Sequence, residues 1–231
     1  MRRLGRWLLW ALALVVGALA LVQGWYAAQI WWWRDHAPHE TSFMAMRQAE
    51  PRDRARPARI AYQWVPYERI SPALKRAVIA AEDAKFVEHE GFDWDGIQQA
   101  LERNYRKGRV VAGGSTITQQ LAKNLFLSSS RSYWRKAEEA VITLMLEALL
   151  DKRRILELYL NVIEWGEGIF GCEAAARHYF GVSALDLSAE QAARLAAMAP
   201  NPRYYERHPD ARGLARKTAI ILGRMPSAEL P

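Results

Sequence analysis

The chain has 231 residues, a length that accommodates one catalytic domain and a small appendage. Hydrophobic residues make up 51% and charged residues 25%, which excludes a disordered or low-complexity protein. A single cysteine, Cys172, excludes a disulfide framework and a cysteine-based zinc cluster. The formal net charge of +7 indicates an anionic partner, such as nucleic acid, a membrane surface or a phosphate-bearing substrate.

The first predicted element is a membrane-spanning helix near the N-terminus. No charged residue occurs from Trp7 to Trp33, and about 20 apolar residues suffice to cross the core of a bilayer. Aromatic rings with a polar edge favour the headgroup regions, so an aromatic belt is expected at each end. The belts consist of Trp7 and Trp10 at one edge and of Trp25, Tyr26 and Trp31 to Trp33 at the other.

Three arginines, Arg2, Arg3 and Arg6, precede this segment. Basic residues concentrate on the cytoplasmic side of membrane proteins, which predicts a cytoplasmic N-terminus and places everything after Trp33 outside. A cleaved signal peptide is the alternative, because the Ala-Leu-Ala sequence at 18–20 resembles a cleavage site. The hydrophobic run continues past that site, which favours a retained anchor over residues 1–33.

The rest of the chain divides into two predicted parts. Residues 34–59 contain three prolines and a charged run without sustained periodicity, so we expect a linker or membrane-proximal arm. Residues 60–231 are predicted to form one mainly α-helical domain, since they show neither repeats nor alternating strands and helices. A short strand is favoured only at residues 60–65.

Capping residues predict the helices of this domain in chain order. Each helix follows a side chain that can accept a hydrogen bond from a free backbone N–H. The caps are Ser71 before Pro72 for a helix to about Asp83, Asp93 for one that stops near Gly108, Ser115 for one to about Leu127, Ser132 for a long helix, Asp151 for one to Asn161, and Ser188 with Gln191 as a capping box.

The first candidate catalytic residue is Glu82, at the end of the helix that begins at Pro72. Alanine, valine and isoleucine dominate the preceding positions, and an apolar environment and the negative end of a helix dipole both disfavour a carboxylate. Both effects raise the pKa of the carboxyl toward the range of a general base. Composition alone favours the alternative, an ordinary exposed glutamate at a helix end.

A second candidate segment follows Gly113 and Gly114, which permit close backbone approach before the free N–H groups of a helix. Residues three and four apart share a helix face, so we expect one polar face and one core-facing stripe. The polar face consists of Thr116, Gln119, Gln120 and Lys123 after Ser115, and the stripe of Ile117, Leu121 and Leu125. Its amides suit sugar hydroxyls, but a solvated face is an equally good interpretation. No Gly-Lys-Ser/Thr follows, which excludes a P-loop.

A third candidate segment is basic and contains a second glutamate. Arg135 and Lys136 lie one turn before Glu139 on the same side of a helix. Such cations hold an acid ionised and suit a phosphate-bearing ligand, although a weak surface ion pair is the alternative. His89 and His178 lack the paired spacing of metal ligands and Cys172 lacks a histidine partner, so we interpret all three as structural.

In this order and at this spacing, the three segments resemble the motifs of the bacterial peptidoglycan glycosyltransferases. The matching residues are Glu82-Asp83-x-x-Phe86-x-x-His89-x-Gly91, then Gly114-Ser115-Thr116-Ile117-x-Gln119-Gln120-x-x-Lys123-Asn124, then Arg135-Lys136-x-x-Glu139 followed by Glu147, Lys152 and Ile155-Leu156-Glu157-x-Tyr159-Leu160-Asn161. Asp151 and Thr143 depart from the pattern, which has Ser and Ala there. Because no Ser-x-x-Lys occurs, the match is to the monofunctional members without a transpeptidase domain.

The resemblance implies a lysozyme-like helical fold with a smaller membrane-proximal jaw lobe, near residues 92–114 and mobile around 107–114. It implies an enzyme that polymerises lipid II into β-1,4-linked glycan strands with inversion of configuration. Undecaprenyl pyrophosphate would leave from the lipid-linked growing strand. The implied location is the bacterial inner membrane, with the catalytic domain in the periplasm.

The resemblance also implies roles for individual residues. Glu82 would be the general base, and Glu139 would lie near the departing phosphate, where it orients cations or holds a divalent ion, Mg²⁺ or Mn²⁺. Other cell wall synthesis or division proteins are further candidate partners. The implied substrate-binding residues are Ser115, Thr116, Gln119, Gln120, Lys123, Arg135, Lys136, Lys152 and Asn161.

Two other functions stay open at this point. A lysozyme-like lytic transglycosylase would also use a glutamate, but it protonates a sugar oxygen and does not need the cluster of lysine and arginine. A non-catalytic wall-binding membrane protein would not need the full set of motifs. Nucleic acid is not expected as a partner, because the positive charges are dispersed and the domain faces outward.

Overall fold

A computed structural model describes residues 2–50, 60–109, 113–130 and 132–231. Within these ranges the chain is mainly α-helical, as predicted, with one small sheet. The helices are α1 Arg2–Trp32, α2 Ser42–Ala49, α3 Pro72–Glu82, α4 Trp94–Lys107, α5 Ile117–Phe126, α6 Tyr133–Leu149, α7 Lys152–Val162, α8 Cys172–Phe180, α9 Ala189–Met198, α10 Pro202–Arg207 and α11 Arg212–Arg224. The strands are β1 Ala61–Tyr62, β2 Glu164–Gly166 and β3 Ile169–Phe170, and 3₁₀ turns occupy Tyr67–Arg69, Ala184–Asp186 and Met225–Ser227.

The sheet joins the start of the domain to the segment after α7. Its strand order is β1-β3-β2, with β1 parallel and β2 antiparallel to the central β3. Ala61 lies opposite Ile169 and Tyr62 opposite Phe170. The short strand predicted within residues 60–65 is therefore confirmed.

Two helical layers carry the candidate motifs. The helix that ends at Glu82, α3, packs against α9 and α11, while α5 packs against α2, α6 and α7. The predicted apolar stripe of α5 is confirmed, because Ile117 and Leu121 are fully buried and Leu125 is nearly so. This packing brings the end of α3 beside the partly buried side of α5, which carries Gln120 and Lys123.

Five of the six predicted helix caps are confirmed, and the cap of α5 is corrected by one residue. The N-cap of α5 is Thr116, not Ser115, because Thr116 and Gln119 form a capping box. The Thr116 hydroxyl accepts from the N–H of Gln119 at 3.2 Å, and Gln119 Oε1 accepts from the N–H of Thr116 at 3.0 Å. Two backbone donors at the helix start are satisfied in this way.

The N-terminal helix α1 is long and apolar enough to cross a membrane over Leu9–Trp32, and its last turn packs on the domain. Ile30 is fully buried, and the ring of Trp33 lies 5.3 Å from that of Phe126. The prediction that Trp33 belongs to an aromatic belt is therefore wrong. Arg154 fixes the joint, because it donates to the carbonyl oxygens of Trp33 at 2.8 Å and His36 at 2.6 Å.

Part of the predicted linker is helical. The Thr41 hydroxyl caps α2 by accepting from the N–H of Met44 at 3.2 Å, and the side chain of Met44 is buried. Because α2 packs on α5, it forms a wall of the domain rather than a free arm. Residues 51–59 lie outside the described ranges.

The segment predicted as the jaw contains α4. Asp93 caps this helix and Gly108, with φ of 61°, ends it in the left-handed conformation that glycine adopts most readily. Ala100 is the buried residue of α4, whereas the side chains of Trp94, Leu101 and Tyr105 are exposed. The stretch predicted to be mobile, 107–114, includes residues 110–112, which lie outside the described ranges.

Candidate active site

The first candidate glutamate, Glu82, ends α3 at a partly buried position between two cavities. Burial raises the pKa of Glu82 above its ordinary value. A hydrogen bond from Gln120 and the charges of Lys217 and Lys123 act in the opposite direction without cancelling that increase. A carboxylate in this position is a stronger base than an exposed one.

A relay of hydrogen bonds from α5 and α7 fixes the carboxylate of Glu82. Gln120 Nε2 donates to Glu82 Oε2 at 2.7 Å, and the hydroxyl of Tyr159 donates to Gln120 Oε1 at 2.9 Å. Burial raises the pKa of Tyr159 well above its ordinary value, so this phenol remains a donor. Both amide ends of Gln120 are thereby assigned.

The neighbouring residue Asp83 ties the first motif to the second. Its Oδ1 lies 2.9 Å from His89 Nε2, and its Oδ2 accepts from the N–H of Ile117 at 3.0 Å. The Thr116 hydroxyl donates to the carbonyl of Gly91 at 2.7 Å. Gly91 has a φ of 88°, and a Cβ there would lie 2.7 Å from a methyl carbon of Thr143, so glycine is required.

Three cavities meet near Glu82. The lysine cavity, of about 270 Å³, includes Gln120, Lys123, Phe43 and Arg47 in its lining. The glycine cavity, of about 290 Å³, is lined by Gly113, Gly114, Ser115, Arg103, Arg224 and Glu82, among others. The apolar cavity, of about 270 Å³, is lined by Ala80, Ala81, Glu82, Ala196, Ala197, Pro200, Lys217, Ile220, Ile221 and Arg224. Since Glu82 is shared by two cavities and its partner Gln120 lines the third, the carboxylate stands at their junction.

The second candidate glutamate, Glu139, is 3% exposed and is neutralised by two cations. Arg135 Nη1 donates to Glu139 Oε2 at 2.6 Å, and Lys136 Nζ donates to Glu139 Oε1. Nearby, burial lowers the pKa of Lys123, the charge of Glu139 opposes this change, and the charges of Arg135 and Lys136 reinforce it. The structure thus brings four of the predicted charged residues into one cluster.

Two predicted sugar-binding residues have their polar atoms turned inward. Thr116 is 2% exposed and Gln119 4% exposed, and both are engaged in the capping box of α5. The expected single polar face is therefore divided. Gln120 and Lys123 face the lysine cavity, and Ser115 is exposed at the glycine cavity.

Two further predicted substrate-binding residues lie away from these cavities. Lys152 pairs with Glu147 at 2.8 Å, and Glu147 also accepts from the Thr118 hydroxyl at 2.6 Å. Asn161 is fully buried, and its amide bonds to the backbone N–H and carbonyl of Val65, each at 2.9 Å. The structure thus gives both side chains contacts within the domain, and their roles in substrate binding stay predictions.

The other residues interpreted as structural are accounted for by the fold. His89 holds Asp83, and His178 lies 3.3 Å from Glu206. Cys172 is fully buried, and this burial raises the pKa of its thiol to about 12, which leaves the thiol protonated and unreactive.

Sequence reasoning missed the contributions of α2 and α11 to the cavities. Phe43 and Arg47 of α2 line the lysine cavity, and Lys217 and Arg224 of α11 line the apolar cavity. The seven-residue spacing of Lys217 and Arg224 places them on one helix face, which is a detectable signal. Only the fold shows that this face meets α3.

A glutamate of raised pKa at the junction of three cavities, beside a cationic cluster, is the arrangement of a helical enzyme suited to an anionic substrate. The model of the transglycosylase family matches residues 52–226, and the chain belongs to that family. Proteins called biosynthetic peptidoglycan transglycosylase are similar over their whole length. The relative from Dechloromonas aromatica strain RCB is 62% identical over all of both chains, that from Azoarcus sp. strain BH72 61% over all of both chains, and that from Chromobacterium violaceum 60% over 95% of this chain and 96% of its own.

Membership in this family makes the chain a glycosyltransferase of peptidoglycan synthesis, with a mainly helical, lysozyme-like domain. Its substrate belongs to the cell wall pathway. The apolar part of α1 is compatible with a single-pass anchor for such an enzyme.

Proposed function

We propose that this chain polymerises lipid II into β-1,4-linked glycan strands and releases undecaprenyl pyrophosphate. The observation that carries the proposal is the placement of Glu82 between cavities, next to Gln120 and Lys123. A base on one side and cations on the other match a reaction that activates an alcohol and expels a diphosphate.

The acceptor side of the reaction uses Glu82. An alcohol is a weak nucleophile at neutral pH, so the 4-hydroxyl of the acceptor N-acetylglucosamine needs a base. Ionised Glu82 takes the hydroxyl proton while the oxygen forms a bond to the anomeric carbon of the donor. Gln120, held by Tyr159, keeps one carboxylate oxygen engaged and leaves the other to accept that proton.

The donor side uses the cationic cluster. The bond between the anomeric carbon and the phosphate oxygen breaks, and its electron pair leaves with the diphosphate. Lys123, Arg135 and Lys136 stabilise that anion through charge-assisted contacts. Glu139 binds two of the cations and so acts as a positioning residue. Attack on the face opposite the leaving group inverts the configuration.

The residues of the cluster do not fit a divalent cation held by the protein. Both oxygens of Glu139 are taken by Arg135 and Lys136, and the positive charge of Lys123 lies nearby. Among the described residues no group of three histidine, cysteine, aspartate or glutamate side chains is arranged to bind a metal. We therefore assign Glu139 to the orientation of cations and derive no step through a metal.

We further propose that α1 anchors the enzyme in the bacterial inner membrane, with its N-terminus cytoplasmic and the domain in the periplasm. The three arginines before the apolar segment support this orientation. A reporter that is active only outside the cytoplasm, fused after Pro231, should be active. Activity of a cytoplasmic reporter instead would reverse the orientation, and a mature N-terminus at Leu21 would show cleavage.

The activity test uses the purified full-length chain in detergent with labelled lipid II, and separates the products by size. We expect glycan polymer and undecaprenyl pyrophosphate from lipid II, whereas finished strands without lipid stay intact. A lytic enzyme would do the reverse, because its target bond is internal to the strand and carries no diphosphate. Shortened strands without polymer from lipid II would replace the synthase by the lytic alternative.

A further inference from the structure

One wall of the lysine cavity comes from outside the region that the family model matches. Helix α2, Ser42–Ala49, precedes residues 52–226, which that model covers. Phe43 and Arg47 of α2 nevertheless line the cavity together with Lys123. The steps of the proposed reaction use neither residue, although both lie in the cavity of a cation that the reaction needs.

Ion pairs and a buried side chain hold α2 against the domain. Arg47 Nε donates to Glu164 Oε2 at 2.9 Å, and Arg47 also pairs with Glu50. The second carboxylate oxygen of Glu50 lies 3.3 Å from Nη2 of Arg203, and the side chain of Met44 is buried. Two carboxylates thus compensate the charge of Arg47, which fastens α2 in place and is not a free cation for a substrate.

The ammonium of Lys123 has a different environment from those of the other two residues of the cationic cluster. Arg135 and Lys136 both donate to Glu139. Within the described ranges, Lys123 Nζ makes neither a hydrogen bond nor an ion pair, but it lies 5.6 Å from the centroid of the Phe43 ring. An aromatic face attracts a cation within about 6 Å of its centroid.

Contact with a ring suits a lysine that must bind an anion. A lysine side chain is flexible, so holding it in one position costs conformational entropy that a contact has to offset. A carboxylate would hold the ammonium and neutralise its charge, whereas the face of a ring attracts the charge without cancelling it. Burial lowers the pKa of Lys123, and the attraction of the ring favours the protonated form.

We propose that Phe43 is a positioning residue of the reaction, whose ring holds the ammonium of Lys123 in the lysine cavity for the diphosphate of the donor. The ring touches the cation and not the reacting atoms, so it acts through Lys123. This inference rests on the proposed function, and it makes α2 a working part of the donor side of the site.

The test weakens the face of the ring while keeping its shape. In the full-length chain in detergent, Phe43 is replaced by phenylalanines that carry one, two and three fluorine atoms, because fluorine withdraws electron density from the ring face. We expect kcat/KM for polymerisation of labelled lipid II to fall with each fluorine, by about threefold to tenfold for three. The same series at Phe180, a half-buried ring outside the three cavity linings, is the matched control and should have no effect.

A second background distinguishes action through Lys123 from direct contact of the ring with a sugar. In Lys123→Gln the ammonium is gone, so the fluorine series should no longer change kcat/KM. A ring that stacks on a sugar would keep the full dependence on fluorine in this background. If the Lys123→Gln chain is too slow to measure, the rate at which acetic anhydride acetylates Lys123, followed by mass spectrometry, should rise with each fluorine at position 43.

Several outcomes overturn the inference. A fluorine series at Phe43 that leaves kcat/KM unchanged, an equal effect at Phe180, or a dependence that persists in Lys123→Gln would each do so, and so would an acetylation rate that does not respond to fluorine. Phe43→Tyr, which keeps the aromatic face, should retain more activity than Phe43→Leu, and the reverse order would count against the ring. A wild-type chain that makes no polymer would refute the proposed function itself, whereas an active wild type with a flat series would refute only the role of Phe43.

Discussion

The end of α3 and the start of α6 each present a glutamate to the same region, in opposite environments. Glu82 lies among apolar residues, accepts a hydrogen bond from a neutral amide and has a raised pKa. Glu139 is almost completely buried yet is bound by two cations. The pKa of Glu82 is raised, whereas Glu139 is paired with two cations. Because both residues are glutamates, their neighbours determine which one can accept a proton and which one positions cations.

The largest expected effect comes from Glu82→Gln, which keeps the shape of the side chain and removes its ability to accept a proton. We expect polymerisation of lipid II to fall by about 100-fold or more, in line with the usual contribution of a general base. The control is Glu90→Gln, an exposed position in the same motif segment. A rate near that of the wild type in a folded Glu82→Gln protein would remove the base from the mechanism.

A smaller effect is expected from Glu139→Gln, because the cations remain but lose their charged partner. Contacts of this kind contribute about 1.5–3 kcal/mol each, so we expect polymerisation to fall about tenfold to 100-fold. Glu102→Gln is the matched control, since Glu102 pairs with Arg106 in the same four-residue spacing on an exposed surface. Equal activities of the two variants would show that Glu139 contributes no more to the reaction than an ordinary ion pair on a helix surface.

The same comparison predicts a change in stability with pH. The pKa of Glu82 is higher in the folded protein than in the unfolded chain. Protonated Glu82 therefore stabilises the fold at pH values below the ordinary carboxyl pKa. This stabilisation is lost as the pH rises through the pKa of Glu82 in the folded protein. Glu82→Gln should therefore raise Tm at neutral pH. The difference in Tm between the variant and the wild type should disappear below pH 4.5, the ordinary pKa of the carboxyl. Thermal unfolding across pH measures it, and a Tm at neutral pH lower than that of the wild type would contradict the raised pKa.

The smallest effects are expected from changes to the hydrogen-bond relay, first from Gln120→Ala. The hydrogen bond from Gln120 lowers the pKa of Glu82, so its loss should move the acidic limb of kcat/KM to higher pH. Tyr159→Phe, which removes only the partner of Gln120, should move the limb less in the same direction. A limb that moves to lower pH in Gln120→Ala would show that another group sets the profile.

Local signals in the sequence predicted most of the helices that carry the site. Side-chain caps act within three residues, so Ser71, Asp93, Ser132, Asp151 and Ser188 could be found without knowledge of the fold. The one-residue error at α5 arose because Ser115 and Thr116 are both good caps. The Gln three residues after Thr116 decides between them.

Contacts between distant segments explain what the sequence did not show. Helix α2 is eight residues long and lies in a segment with prolines before and after it, so no periodic pattern could develop. Asn161 stands in a matching motif, yet only its bonds to Val65 reveal a structural role. Likewise, Lys217 belongs to the site only because α11 packs on α3, more than 130 residues away in sequence.

The contacts between α1 and the domain have a consequence for the proposed anchoring in a membrane. Arg154 donates to the carbonyls of Trp33 and His36, and Trp33 packs against Phe126, so these contacts oppose rotation of the domain relative to α1. A single residue inserted into α1 before Ile30 would turn the preceding part of α1 by about 100° relative to the domain. With α1 anchored in the bilayer as proposed above, a lipid-linked substrate that diffuses in the membrane would meet the site at a constant height and in a constant orientation.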